Sequence, residues 1–322
     1  MNDLQAYANI FDGIRPWAGH VPSGYQVDFL GTLTDAKFRS MWGVDPKSAG
    51  GAHVQTQVPT IKDGEGWFEA VNWVAAAREA RERYVMVTLG ACYGAQAVGS
   101  CRALQLLNAM PYKLIAVEPE PENYEWTAKH MRHNGIDPDM QWLVQHAISD
   151  RNVPVYFPVG SPGTGAQNCF STNQQGAREL YVKQIVDRGK VENALRNLIL
   201  NNTTGIITSL VPGYDFSAEI KLVSSVTLKD ILGPFDFIDY VESDIQQSEI
   251  LVFPPFIDLL RRKVRRIHIG THGVEVHRTL HQLFERGGWE IVFSYEPNAT
   301  HSSALGNFVT NDGVLTVRNP SL

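Results

Sequence analysis

The chain has 322 residues, of which 43% are hydrophobic and 19% charged. That length allows one large domain or two, and that balance excludes global disorder. The net charge of −6 argues against a protein that holds nucleic acid by overall attraction to phosphate. The start, MNDLQAYANIFDG, lacks the basic and apolar regions of a secretory signal, and no apolar run is long enough to span a bilayer. Cys92, Cys101 and Cys169 form no C-x-x-C pair. A cytoplasmic protein is expected, without a disulfide framework and without a membrane or nucleic-acid partner.

Residues 1–63 scatter Gly, Pro, Asp and Trp and read as an extension packed on the main domain. A strand is expected over 25–33 and a short helix over 34–42. A lid, or a contact between copies in a homo-oligomer, is the other role open to this segment. A helix is expected over 67–83, where Val71, Val74 and Ala75 fall at i, i+3, i+4. A buried strand starts at Tyr84, a helix covers 95–107, a second strand 113–117, and a third helix 122–134, with Gly135 as its stop. A third buried strand is expected over 141–148 and a strand or hairpin arm over 153–159.

Residues 160–176 are rich in Gly, Ser, Asn and Gln and read as a loop. A helix follows over 179–200, then loop or short strand over 201–215. A connection of this size carries a lid or an acceptor pocket, or is a decorative insertion. The core pattern resumes over 226–232, with a fourth strand over 235–241. Helices over 246–253 and 255–264 lead to a fifth strand over 266–269 and a helix over 275–285. The last strands, over 289–294 and 313–317, are separated by roughly 18 residues of loop and fit a closing antiparallel pair. The expected fold is α/β, a Rossmann-like, doubly wound, seven-stranded sheet of class I methyltransferase type with an antiparallel last strand.

Two stretches carry the chemistry. YVMVTLGACYG over 84–94 is a buried strand running into a glycine turn, and KLIAVEPEPENY over 113–124 is a buried strand ending on an acid. A strand–glycine turn–helix–strand–acid unit holds adenosine-containing cofactors. Gly90 turns the chain off the strand, Gly94 lets the next helix approach, and the Glu118 carboxylate takes the two ribose hydroxyls. The turn is not G-x-G-x-x-G, and a dinucleotide needs bare backbone against its pyrophosphate. S-adenosylmethionine, which has no phosphate, suits it better. A nicotinamide-dependent oxidoreductase and a non-catalytic cofactor-binding protein of the same fold are the alternatives.

The order of these motifs resembles the FkbM-like family of S-adenosylmethionine-dependent methyltransferases, over roughly 67–322. The family's first motif, similar to VDVGANYG or VELGAGYG, stands here as Val87 to Gly94. Its AVEP tetrapeptide is Ala116 to Pro119, followed by Asn134-Gly135. Its strand-end alanine is Ala147, beside Ile148. Its D-(V/I)-(E/Q)-G-A-E motif is Asp244-Ile245-Gln246-Gln247-Ser248-Glu249, and a short strand then ends at His272. Thr88 stands where an acid is common, Gln247 where glycine is, and Ser248 where alanine is. The resemblance implies methyl transfer, usually to oxygen. The resemblance leaves out the long connection, so the expected organisation is an N-terminal extension or cap over 1–66 and a methyltransferase domain over 67–322, with 160–225 as an acceptor-side insertion before the fourth strand.

The implied cofactor set is Thr88, Gly90, Ala91, Cys92, Tyr93, Gly94, Glu118, Pro119, Ala147, Ile148, Ser243 and Asp244. Asp244 orients the methionine end, acts as base, ligates a divalent metal, or simply caps the following helix. His272, at a strand end, is the preferred general base. The acceptor is expected to be a small molecule or sugar hydroxyl. Glu249 complements a helix dipole or serves the site. His277 and His281 have i, i+4 spacing, but H-x-x-x-H alone does not make a metal site, and no metal is predicted. Cys92 reads as a packing residue, and the basic run 261–266 as a solvated helix end.

Overall fold

Tyr84–Leu89 (β1) and Ile238–Ser243 (β4) are buried at every position. They lie side by side in the middle of a sheet, where both faces of a strand must be apolar. The computed structural model describes residues 4–39, 44–160, 170–189 and 218–322. The other sheet strands are Tyr112–Val117 (β2), Trp142–Val144 (β3), Val264–Thr271 (β5), Glu290–Tyr295 (β6) and Gly313–Arg318 (β7). Their order is 3-2-1-4-5-7-6. β3, β2, β1, β4 and β5 run parallel, while β7 is antiparallel to both β5 and β6. The fold is therefore the seven-stranded α/β sheet with a reversed last strand.

Helices cover both faces. Glu65–Glu79 (α1) and Ala95–Leu107 (α2) place Phe68, Val71 and Leu104 on Tyr84, Met86 and Tyr240. On the opposite face, Ile257–Lys263 (α4) and Val274–Arg286 (α5) place Leu260, Leu280 and Phe284 against Val85, Val87, Val241 and Ile267. Pro121–His133 (α3) stops where expected. Gly135 has φ 71°, and the Ile136 N–H returns to the Met131 carbonyl at 2.9 Å, which closes the helix end.

The N-terminal residues share this core, since Leu4, Phe11, Phe29 and Leu30 join the cluster under α1 and α2. Their local structure differs from expectation. Residues 25–33 do not form one strand: Tyr25–Val27 pairs with Leu33–Asp35 as a hairpin, so Thr34 extends a strand rather than starting a helix. Residues 40–42 of that expected helix lie outside the described residues. Ala18–Val21 pairs with Ala52–Gln55. The Asn134 side chain holds Leu33 by both backbone groups, at 2.8 and 2.9 Å, and ties the hairpin to α3.

Three further expectations need correction. The strand over 141–148 is two strands: Trp142–Val144 joins the sheet, while Ala147–Ile148 pairs with Ser225–Val226. The connection between the last two strands holds a hairpin, Ala299–Ser303 with Gly306–Thr310. The basic run is not simply solvated. Arg266 is 1% exposed and pairs with Glu79 at 3.0 Å, and Lys263 donates to the carbonyls of Leu232, Gly233 and Phe235.

In the long connection before β4, Val155–Val159 pairs with Glu219–Val223, and a helix spans Gln174–Gly189. Cys169, part of the expected loop over 160–176, the end of the helix expected over 179–200 and the expected 201–215 segment lie outside the described residues. Among the described residues, no helix is long and apolar enough to cross a membrane.

Candidate active site

β1 turns sharply at its end. Gly90 has φ 75°, and a Cβ there would lie 2.2 Å from the Asp244 carbonyl oxygen, so only glycine fits between β1 and the end of β4. The Cys92 N–H then donates to Glu118 Oε2 at 2.7 Å, and the Glu120 N–H donates to Oε1 at 2.9 Å. The Glu118 side chain is thus fixed at the tip of β2. Burial pushes its carboxyl up to about 8, against the opposing pull of the two backbone donors. Burial, and then the Glu118 charge, also push the Cys92 thiol well up. Cys92 is therefore a protonated packing residue and not a thiolate nucleophile.

A pocket opens along this edge of the sheet. Of the residues expected at a cofactor, Gly90, Cys92, Glu118, Pro119, Ala147, Ile148 and Asp244 line it. The others do not line it. Thr88 is buried within β1, and Ser243 is fully buried in β4. Ala91 packs in the core. Gly94 lies against Thr127, where a Cβ would approach to 2.9 Å. The Tyr93 ring packs on Phe38 and His130, and its hydroxyl accepts from Arg39 at 2.7 Å.

Beyond Asp244 the chain makes a tight turn, with Gln246 at φ 55° and Gln247 at φ 78°. The Glu249 carboxylate, fully buried, accepts from the Ile245 N–H at 2.8 Å and closes that turn. This is more than a dipole complement. Gln246 Nε2 lies 2.7 Å from Asp244 Oδ1 and 2.8 Å from His272 Nε2. His272 Nε2 is also 3.5 Å from Asp244 Oδ1 and 3.4 Å from Asp312 Oδ1. The two expected catalytic residues are therefore neighbours. Burial opposes the imidazolium, but the carboxylates of Asp244, Asp312 and Glu249 outweigh it and raise His272 to about 9.

His277 and His281 meet at Ser294 Oγ, at 3.0 and 2.8 Å. No group of three or more His, Cys, Asp or Glu among the described residues is placed to hold a metal ion.

Residues 89–300 match the family model of the Methyltransferase FkbM domain. The chain belongs to that methyltransferase family. Among solved structures, a Methyltransferase FkbM from Methylobacillus flagellatus is 9% identical (TM-score 0.39), with 87% of this chain and 57% of that one covered. An O-methyltransferase from Bacillus cereus, in complex with SAH, is 8% identical (TM-score 0.38, 88% and 91% covered). A precorrin-6y C5,15-methyltransferase from Geobacter metallireducens is 9% identical (TM-score 0.38, 78% and 86% covered). No curated protein sequence matches the chain.

Several residues around the pocket of this FkbM domain escape sequence reasoning. Phe157 and Phe170 wall it, yet Phe157 sits just before the 160–225 connection and Phe170 inside it, where the pairing is non-local. Asp312 sits in a polar turn with no signal of its own. Gln246 had a signal, because it fills the Glu-or-Gln position of the D-(V/I)-(E/Q)-G-A-E pattern.

Proposed function

We propose that this FkbM domain binds S-adenosylmethionine and methylates a hydroxyl oxygen on a small-molecule or sugar acceptor. The observation that carries the reading is the Glu118 carboxylate, buried at the pocket wall with one backbone N–H on each oxygen. Each oxygen keeps a further lone pair for a ribose hydroxyl. The same geometry disfavours a dinucleotide. The Cys92 N–H, which a pyrophosphate would need, is turned towards a carboxylate instead.

Bound there, the cofactor supplies a methyl group on a sulfonium. This chain's residues would do the rest. Glu118 takes the ribose, and Ala147, Ile148 and Phe157 offer an apolar wall to the adenine. Asp244 and His272 face the outgoing side, where the acceptor has to lose a proton. His272 is the base of this reading, with Asp244 and Asp312 stabilising the imidazolium that forms. Phe170 suggests that the 160–225 connection shapes the acceptor pocket and excludes water.

Isothermal titration with S-adenosylmethionine, S-adenosylhomocysteine and NADH tests this. Micromolar binding of the first two and none of NADH is the expected result. Binding of NADH alone would replace the reading with an oxidoreductase.

A further inference from the structure

Thr88 of β1 and Glu242 of β4 are register partners in the sheet. In-register residues of parallel neighbours share a face, and this face is the one that Tyr84, Met86 and Tyr240 present to α1 and α2. Glu242 is 3% exposed, and its carboxyl accepts from the Tyr240 hydroxyl. Glu69 of α1 lies close enough to act on it electrostatically. The Glu69 carboxyl accepts from the Gln96 side chain, whose own oxygen accepts from Trp73 Nε1 at 2.8 Å.

The charges acting on Glu242 are all negative. After burial, Glu69 and Asp244 push its carboxyl well up. Burial and then the Asp244 charge raise Glu69 to about 7, and Arg39 and the Gln96 hydrogen bond oppose them. A buried carboxyl and a half-buried neighbour of the same charge cannot both ionise without a cation between them. The pocket begins directly above. Leu89 and Ser243 are the last register pair of β1 and β4, and the residues that follow them, Gly90 and Asp244, line the pocket.

We propose that Glu242, assisted by Glu69, holds the ammonium of the cofactor's amino-acid end, so that β4 and α1 supply the acid that β1 lacks at Thr88. This rests on the reading of the pocket as an S-adenosylmethionine site. Of the cofactor's two cations, the sulfonium has no hydrogen to donate. The ammonium has three, enough to bridge two carboxylates.

Two ligands isolate the contact. S-adenosylhomocysteine keeps the ammonium, and 5′-methylthioadenosine keeps the nucleoside and thioether without it. The test measures both by calorimetry on the wild type, Glu242→Gln, Glu69→Gln and the Thr88→Asp/Glu242→Gln double variant. Glu242→Gln is expected to weaken S-adenosylhomocysteine about tenfold or more, the cost of a charge-assisted hydrogen bond. Methylthioadenosine should stay within about twofold, because its contacts are untouched. Glu69→Gln should act in the same direction. Thr88→Asp should restore part of the lost affinity from the neighbouring strand. Variants that weaken both ligands alike, or neither, overturn the proposal while leaving the cofactor reading intact. A wild type that binds neither ligand overturns both.

Discussion

Cys92 and Glu118 are joined backbone to side chain at 2.7 Å across the mouth of the pocket, and this bond makes the glycine turn and the acid-tipped strand one unit. Cys92 adopts φ 52°, a left-handed conformation that favours Gly and Asn. These are the residues the family's first motif shows at this place. The conformation aims the N–H at Glu118, so the carboxylate is oriented before any ligand arrives.

Ribose hydroxyls donate to the ionised form of Glu118, while burial holds its pKa at about 8. Below that pH, binding has to release a proton. Affinity for 5′-methylthioadenosine, which has the ribose but no ammonium for Glu242 and Glu69, should therefore rise by about tenfold per unit from about pH 6 towards pH 8 and flatten above it. Titrations across that range, in buffers of different ionisation enthalpy, would show both the slope and the released proton. Glu118→Gln should abolish most of the affinity and the slope together. Glu118→Ala should also destabilise the fold by about 1–3 kcal/mol, since it strands the N–H groups of Cys92 and Glu120. A pH-independent affinity would remove Glu118 from the ribose.

His272 sits between Asp244 and Asp312 and is raised to about 9. A base works in its neutral form, so kcat/KM for the acceptor should climb by about tenfold per pH unit from neutrality to about pH 9 and then level. Asp312→Asn removes one of the stabilising carboxylates and should move the break towards neutral pH. His272→Ala should erase this limb and slow turnover while leaving S-adenosylhomocysteine binding intact. A flat profile in the wild type would take the base role from His272.

The central strands were legible because residues such as Val85, Val87 and Val241 are buried on both sides, which leaves an unbroken apolar run. Glu118, Asp244 and His272 were legible because each ends such a run. The short pairs were not. Ala147–Ile148 finds its partner at Ser225–Val226, far along the chain, and two residues show no period. The arm Ala299–Ser303 reads ATHSS, with no buried position, so its polarity looked like loop. Phe157 reaches the pocket from Val155–Val159, whose partner Glu219–Val223 is also far along the chain, and Phe170 precedes Ser171, which bridges to Tyr156, so local pattern records neither.

Gln247 offers a test of how the Asp244 turn is held. It has φ 78° at a position where the family pattern carries glycine. A non-glycine residue there costs about 1–2 kcal/mol of backbone strain, and the extra chain entropy of glycine returns about 0.5–1 kcal/mol of that. Gln247→Gly should therefore stabilise the protein by about 0.5–1 kcal/mol in urea denaturation, with turnover unchanged. Gln246, at φ 55°, is the control. Its side chain joins Asp244 to His272, so Gln246→Gly relieves similar strain but frees the imidazole and should lower turnover. If Gln247→Gly destabilises instead, the Gln247 side chain makes a contact worth more than its strain, and the turn is held by that contact rather than by the Glu249 carboxylate on the Ile245 N–H.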